Sequence, residues 1–121
     1  MKYEPIPEMS AGDIEAAIDR NEPEELLVAV LSAALHGSEL EWAESVCAKL
    51  AAHEHFNVRG NAILGFGHLA RIHGQLSRTL ALPIIEAGLQ DAHEYVRGQA
   101  EAAADDVEHL LGWSISRRPV G

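Results

Sequence analysis

Apolar residues recur at helical spacing through most of the chain. Ile14, Ala17 and Ile18 begin the pattern; Leu26, Leu27, Val30, Leu31 and Ala34 continue it, and Trp42, Val46, Cys47 and Leu50 form a third group. Val58, Ala62, Gly65, Leu69 and Ile72 make one longer stripe, and Val96, Ala100, Ala103, Val107 and Leu110 make another, with Leu80, Ile84, Ile85 and Leu89 between them. Such spacing marks helices that bury one face. The breaks carry helix-end chemistry. Ser10 with Asp13 and Ser38 with Glu41 read as capping boxes. Asn21 is placed to cap the helix that Pro23 opens. Gly37, Gly74 and Gly112 follow the ends of stripes. Pro83 falls inside a stripe and is expected to kink its helix or lie near its first turn. The spacing predicts helices over about 10–20, 23–36, 38–52, 56–73, 77–90 and 93–111.

One stretch occurs twice. His55-Phe56-Asn57-Val58-Arg59-Gly60-Asn61-Ala62 returns as His93-Glu94-Tyr95-Val96-Arg97-Gly98-Gln99-Ala100, with five of eight positions identical and an offset of 38 residues. A period near ~40 residues is the length of a two-helix unit in a solenoid. The same offset sets Trp42 on Leu80, Val46 on Ile84 and Cys47 on Ile85. The first helix pair aligns only with small shifts, as an end unit facing water should. Val58, Ala62, Val96 and Ala100 are expected in the core. Arg59 and Arg97 are expected to hold adjacent units through charged hydrogen bonds rather than to meet a ligand. One position round the helix, Asn57, Asn61, Leu64, His68 and Arg71 align with Tyr95, Gln99, Ala102, Asp106 and His109. That polar row is a candidate binding surface.

Composition sharpens this. Hydrophobic residues make up 47% of the chain but aromatic residues only 5%, and β-branched residues are sparse, so the fold class is all-α. Nineteen carboxylates oppose nine basic residues, giving a net charge of −10. A phosphate backbone needs a basic face, so nucleic acid is not an expected partner. A basic protein is. Cys47 is the only cysteine; it forms no internal disulfide and reads as a small core residue. The N-terminus lacks an apolar signal core and no apolar run reaches the ~18 residues of a membrane span. The expectation is a cytoplasmic protein with no membrane contact. Residues 1–9 read as an arm packing through Tyr3 and Ile6, 10–113 as one domain, and 114–121 as a flexible tail.

Seven histidines raise the question of chemistry. His53 and His55 are two apart, His68 and His73 five apart, and neither spacing lies on one helix face. There is no HExxH, no zinc-ribbon spacing and no nucleophile elbow. Gly65-Phe66-Gly67 sits within helical periodicity rather than in a phosphate loop. No catalytic residue, metal ligand or cofactor is assigned.

The segment Asn57–Ala62 and the segment Asp91–Ala100 resemble the start of the second helix of HEAT repeats, where an Asp, a hydrophobic-Arg pair and an Ala recur in order. Pro83 is similar to the kinking proline of HEAT first helices. The likeness covers about 38–112 well and 10–37 weakly, and His53 stands where the repeat's Asp is expected. The resemblance implies a right-handed α-solenoid of about three helix pairs with the second helices lining a concave face. In an iron-binding hydroxylase built of such repeats, His-Glu pairs follow the Val-Arg position; here those places hold Gly60-Asn61 and Gly98-Gln99. Small acidic proteins of this make-up also resemble the immunity partners of contact-dependent or Rhs-type toxins, many of them basic nucleases. That resemblance implies a non-enzymatic protein that binds another protein through acidic residues. The residues expected to meet the partner are Glu94, Tyr95, Gln99, Glu101, Asp105, Asp106 and Trp113, with Asn61 and Glu54. The alternatives are a HEAT-like adaptor or a protein like the bilin lyases, which share the repeats. A second copy of the chain is a further partner that the open ends of a short solenoid allow.

Overall fold

The computed structural model describes residues 5–37 and 39–117. These residues form six helices and no strand: α1 (Ala11–Arg20), α2 (Pro23–His36), α3 (Leu40–Leu50), α4 (Phe56–His73), α5 (Arg78–Gly88) and α6 (Glu94–Leu111). Among them no helix is long and apolar enough to cross a membrane.

Helix ends follow local chemistry, with exceptions. Ser10 Oγ accepts the Asp13 N–H at 3.0 Å and Asp13 Oδ2 accepts the Ser10 N–H at 3.4 Å, which closes the expected box. Asn21 does not cap α2. It ends α1 in the left-handed region, at φ 56°, which its short polar side chain tolerates. Gly74 and Gly112 end α4 and α6 at φ 67° and 69°. Ser38, expected to cap α3, lies outside the described residues, as does Tyr3. Pro83 lies inside α5.

The helices pack in two rows. α2, α4 and α6 lie side by side in chain order, and α3 and α5 touch each other along one flank. α4 is the centre, since α2, α3, α5 and α6 all contact it. Its predicted stripe is buried from Val58 to Leu69, and that of α6 from Val96 to Val107. Both stripes fail at their last member. Ile72 is 48% exposed and Leu110 45%, each in the final turn of its helix.

The repeated letters each have a structural duty. His55 and His93 are the N-caps of α4 and α6, their Nδ1 atoms accepting the Asn57 and Tyr95 N–H groups at 3.2 and 3.1 Å. Val and Ala are core. The arginines tie down the loop before their own helix. Arg59 Nη1 donates to the carbonyls of His53 and Glu54, both at 3.0 Å. Arg97 Nη1 donates to those of Asp91 and Ala92, at 2.8 and 3.1 Å.

Glycines set how near the neighbours of α4 come. A Cβ on Gly65 would stand 2.6 Å from Cys47 Sγ, and one on Gly60 3.0 Å from the Tyr95 ring. Gly88 on α5 stands in the same way against Ala100 and Ile63. Cys47 is fully buried in this contact; burial, and then the charge of Glu44, push its thiol up to about 12, so it stays protonated and inert. Glu44 is itself buried and accepts the Ser77 N–H at 2.6 Å, which fixes the start of α5.

The tail expected to be loose from Ser114 is packed as far as Arg117. Ile115 is 8% exposed, the Ser116 N–H donates to Glu86, and Arg117 binds side chains of α6. A single apolar residue between polar ones gave no periodic signal, so the sequence hid this anchor.

Gly65→Ala should lower stability by about 1–3 kcal/mol through overpacking, despite alanine's better helix propensity. Combining it with Cys47→Ala should cost less than the two changes added, because the second removes the clashing sulfur. Urea unfolding of the three variants measures this; strict additivity would show that the contact is not the constraint.

Candidate partner-binding surface

The nine residues singled out by sequence do not form one patch. Three join in a network at the seam of α4 and α6. Asn61 Nδ2 donates to the Tyr95 hydroxyl at 2.8 Å and to the Asn57 carbonyl at 2.9 Å; Gln99 Nε2 donates to the same hydroxyl at 3.0 Å. Asn61 is only 8% exposed. Its amide is spent on this network, so it supports Tyr95 and Gln99 and does not itself face outward. Tyr95 keeps 37% of its surface.

Beside this network lies an exposed stack of rings. Phe56 is parallel to His93 at 4.0 Å between centroids and to His55 at 5.1 Å, and Tyr95 meets it edge-on at 5.7 Å. Phe56 is 37% exposed. Glu94 opens α6 and Glu54 lies in the loop before α4, both exposed. The stack combines residues that differ between the copies, Phe56 and Tyr95, with the repeated histidines. The sequence marks Phe56 as a position where the copies differ, against Glu94; the stack itself was not legible, because only the packing of α4 against the α5–α6 loop brings His93 over it.

Asp106 also lies on the seam, half-buried, with an oxygen 3.9 Å from Arg71. Arg71 Nη2 is 2.8 Å from His68 Nδ1. Burial first, and then the Arg71 charge, lower the pKa of His68, so neighbouring charge and burial both favour its neutral form. Most of the polar row is thus hydrogen-bonded within itself.

Glu101 and Asp105 point elsewhere. At 100° per residue they lie roughly 200–240° round α6 from Gln99. With Glu108 they surround Arg117: Nε to Glu101 at 2.6 Å, Nη2 to Glu108 at 2.7 Å and Nη2 to Asp105 at 3.3 Å. The Arg117 guanidinium holds the Glu108 carboxyl below its usual range. Sequence reading missed Arg117 and Glu108, since the path of the tail is set by tertiary packing. Trp113 is half-buried and packs against the core. Arg118 and Pro119 lie outside the described residues. Among the described residues no group of three or more His, Cys, Asp and Glu could hold a metal ion.

The two repeated arginines part company here. Arg59 reaches the next unit, its Nε and Nη2 donating to both oxygens of Asp91 at 2.8 and 2.9 Å. Among the described residues Arg97 makes no such bond, so there the expected clamp between units is seen at Arg59 and not at Arg97. Asn21 and His53 supply the preceding link with neutral groups: His53 Nε2 and Asn21 Oδ1 are 2.8 Å apart, at the same separation of 32 residues as Arg59 and Asp91.

A chain in the crystal structure of a CDI complex from Cupriavidus taiwanensis LMG 19424 is similar to this one, with a TM-score of 0.78 and 25% sequence identity over 91% of this chain and 97% of that chain. No protein-family model matches, and no curated protein matches.

Arg59→Ala should cost about 2 kcal/mol, because the pair is mostly buried and two loop carbonyls lose their donor. The Arg59 hydrogen bond is the main cause that lowers the pKa of Asp91 below its ordinary 3.8. A depressed carboxylate stabilises the fold above its unfolded pKa and stops doing so as pH falls through the folded one. The gap between wild type and Arg59→Ala in urea unfolding should therefore be constant near neutral pH and shrink below 3.8.

Proposed function

We propose that this protein is the immunity partner in a contact-dependent inhibition pair: a non-enzymatic, HEAT-like α-solenoid of three helix pairs that binds and neutralises a basic toxin domain in the cytoplasm. The observation that carries the reading is the likeness of nearly the whole chain to a whole chain of a CDI complex. A chain found in such a complex has a protein partner, and a similar fold at similar length fits the same kind of task.

Charge supports the choice of role. An excess of ten negative charges raises the capture rate of a basic protein through long-range attraction. Glu101, Asp105 and Glu108 sit on the exposed side of α6 and exceed the single cation, Arg117, that binds them. Tyr95 and Phe56 offer exposed rings close to Glu94, the mixture of aromatic and charged groups that anchors interfaces.

Bacteria expressing the toxin domain encoded beside this gene should survive only when this chain is co-expressed, and the two proteins should co-purify. Survival without the chain, or no complex, overturns the reading. The association rate should fall steeply with added salt, and Glu101→Gln with Asp105→Asn and Glu108→Gln should slow it by about tenfold at low salt. A rate indifferent to salt removes the electrostatic part and leaves the pairing.

A further inference from the structure

The internal repeat shows what Arg97 lacks. Arg59 and Arg97 bind their own loops identically, each through Nη1 to two carbonyls that are 38 residues apart in the two copies. Arg59 then uses its remaining edge, Nε and Nη2, to grip Asp91, which stands three residues ahead of the start of α6. Arg97 is held in the same way, and among the described residues no carboxylate lies within salt-bridge distance of it. A second observation agrees. A Cβ on Gly60 would run into Tyr95 and Gln99 of the following helix, whereas one on Gly98 would meet nothing within 4 Å. Among the described residues, the side of α6 that corresponds to the covered side of α4 is open at Gly98, and farther along only Arg117 of the tail lies on Glu101 and Asp105. It is open at the edge where the guanidinium is already positioned.

We infer that this side of α6 is a docking surface for a helix of a foreign protein, one that begins with an aspartate gripped by the Nε–Nη2 edge of Arg97 and carries lysine or arginine along its length. The inference rests on the protein-binding reading above and says where the partner sits. The aspartate follows from the Arg59–Asp91 pair, which shows the ligand that this loop-held arginine takes. The basic residues follow from the face itself. Glu101 and Asp105 lie one and two turns beyond Arg97, and Arg117 already shows a guanidinium seated on them. A second copy of this chain does not fit: its Asp91 is engaged by its own Arg59, and its α6 would bring carboxylates against carboxylates. The partner helix lies alongside α6 as α6 lies alongside α4, with charge in place of the apolar seam.

The probe is a synthetic peptide with aspartate three residues ahead of an alanine–lysine helix, titrated into the full-length protein while the Nε–Hε resonance of Arg97 is followed by NMR. Its signal should move saturably, and that of Arg59 should stay. Replacing the peptide's aspartate by asparagine, which cannot disturb folding of the protein, should abolish the shift and weaken binding by about fivefold or more. Arg97→Lys should weaken binding similarly, since lysine lacks the fork, with its melting temperature measured beside it because Arg97 also ties the loop before α6. No movement at Arg97, or equal binding of the asparagine peptide, overturns the assignment. Either result leaves the toxin-protection assay untouched, so the two readings fail separately.

Discussion

How near its neighbours come to α4 decides the rest of the molecule. α4 touches four other helices, and it does so with glycines where α3 and α6 press closest. Interiors are packed to crystal density, so one extra methyl at such a point is felt. Gly65 brings α3 close enough for a cysteine to fill the gap. Gly60 brings α6 close enough for Tyr95 to lie across the backbone and reach Asn61. The glycines weaken α4 as an isolated helix; tertiary contact offsets that cost, and the helix exists because of what surrounds it.

Close approach makes the polar seam possible. Only when α6 is this near can Tyr95 accept from both Asn61 and Gln99, and only then does Arg59 span the loop to Asp91. These bonds lie at one end of the helices, where the loops before α4 and α6 stack. The histidine caps, the arginine ties and the Phe56–His93 stack are crowded into the same end. The loop end is thus rigid and carries exposed rings, which is the combination an interface requires. At the other end Gly74 and Gly112 close α4 and α6, and the polar contacts there, Arg71 with His68 and Asp106 and Arg117 with Glu108, hold side chains rather than loops.

Much of this was legible in the sequence. The period of Val58, Ala62 and Leu69 marks a buried face because burial obeys helix geometry, and Ser10 with Asp13 marks a helix start because that chemistry is local. Ile72 and Leu110 were misread because periodicity says which residues share a face and not how far along the helix that face is covered. Asn61 was misread because the residue covering it, Tyr95, comes from the next unit. Arg59 and Arg97 look identical in the chain and differ in their surroundings: Asp91 meets Arg59, and among the described residues no carboxylate meets Arg97. Arg117 was invisible as a partner of α6, since three carboxylates gather round it only after Ile115 has found the core. Local and periodic signals reveal the scaffold; the surface depends on which unit comes next.

The contrast between the copies gives the charge a location. At the offset of 38 residues, Phe56 corresponds to Glu94, Ile63 to Glu101 and Gly67 to Asp105. Ile63 and Gly67 are buried under the following helices, while Glu101 and Asp105 are exposed. Where a following helix covers these positions they are apolar or small; on α6, exposed at these positions, they are acidic. An apolar face left open at that edge would invite another unit or another copy to pack on it. Carboxylates prevent this, because two such faces repel. In the role proposed above, the same carboxylates supply a field that draws in a basic protein. Repulsion of a like face and attraction of an opposite one then need no separate sets of residues.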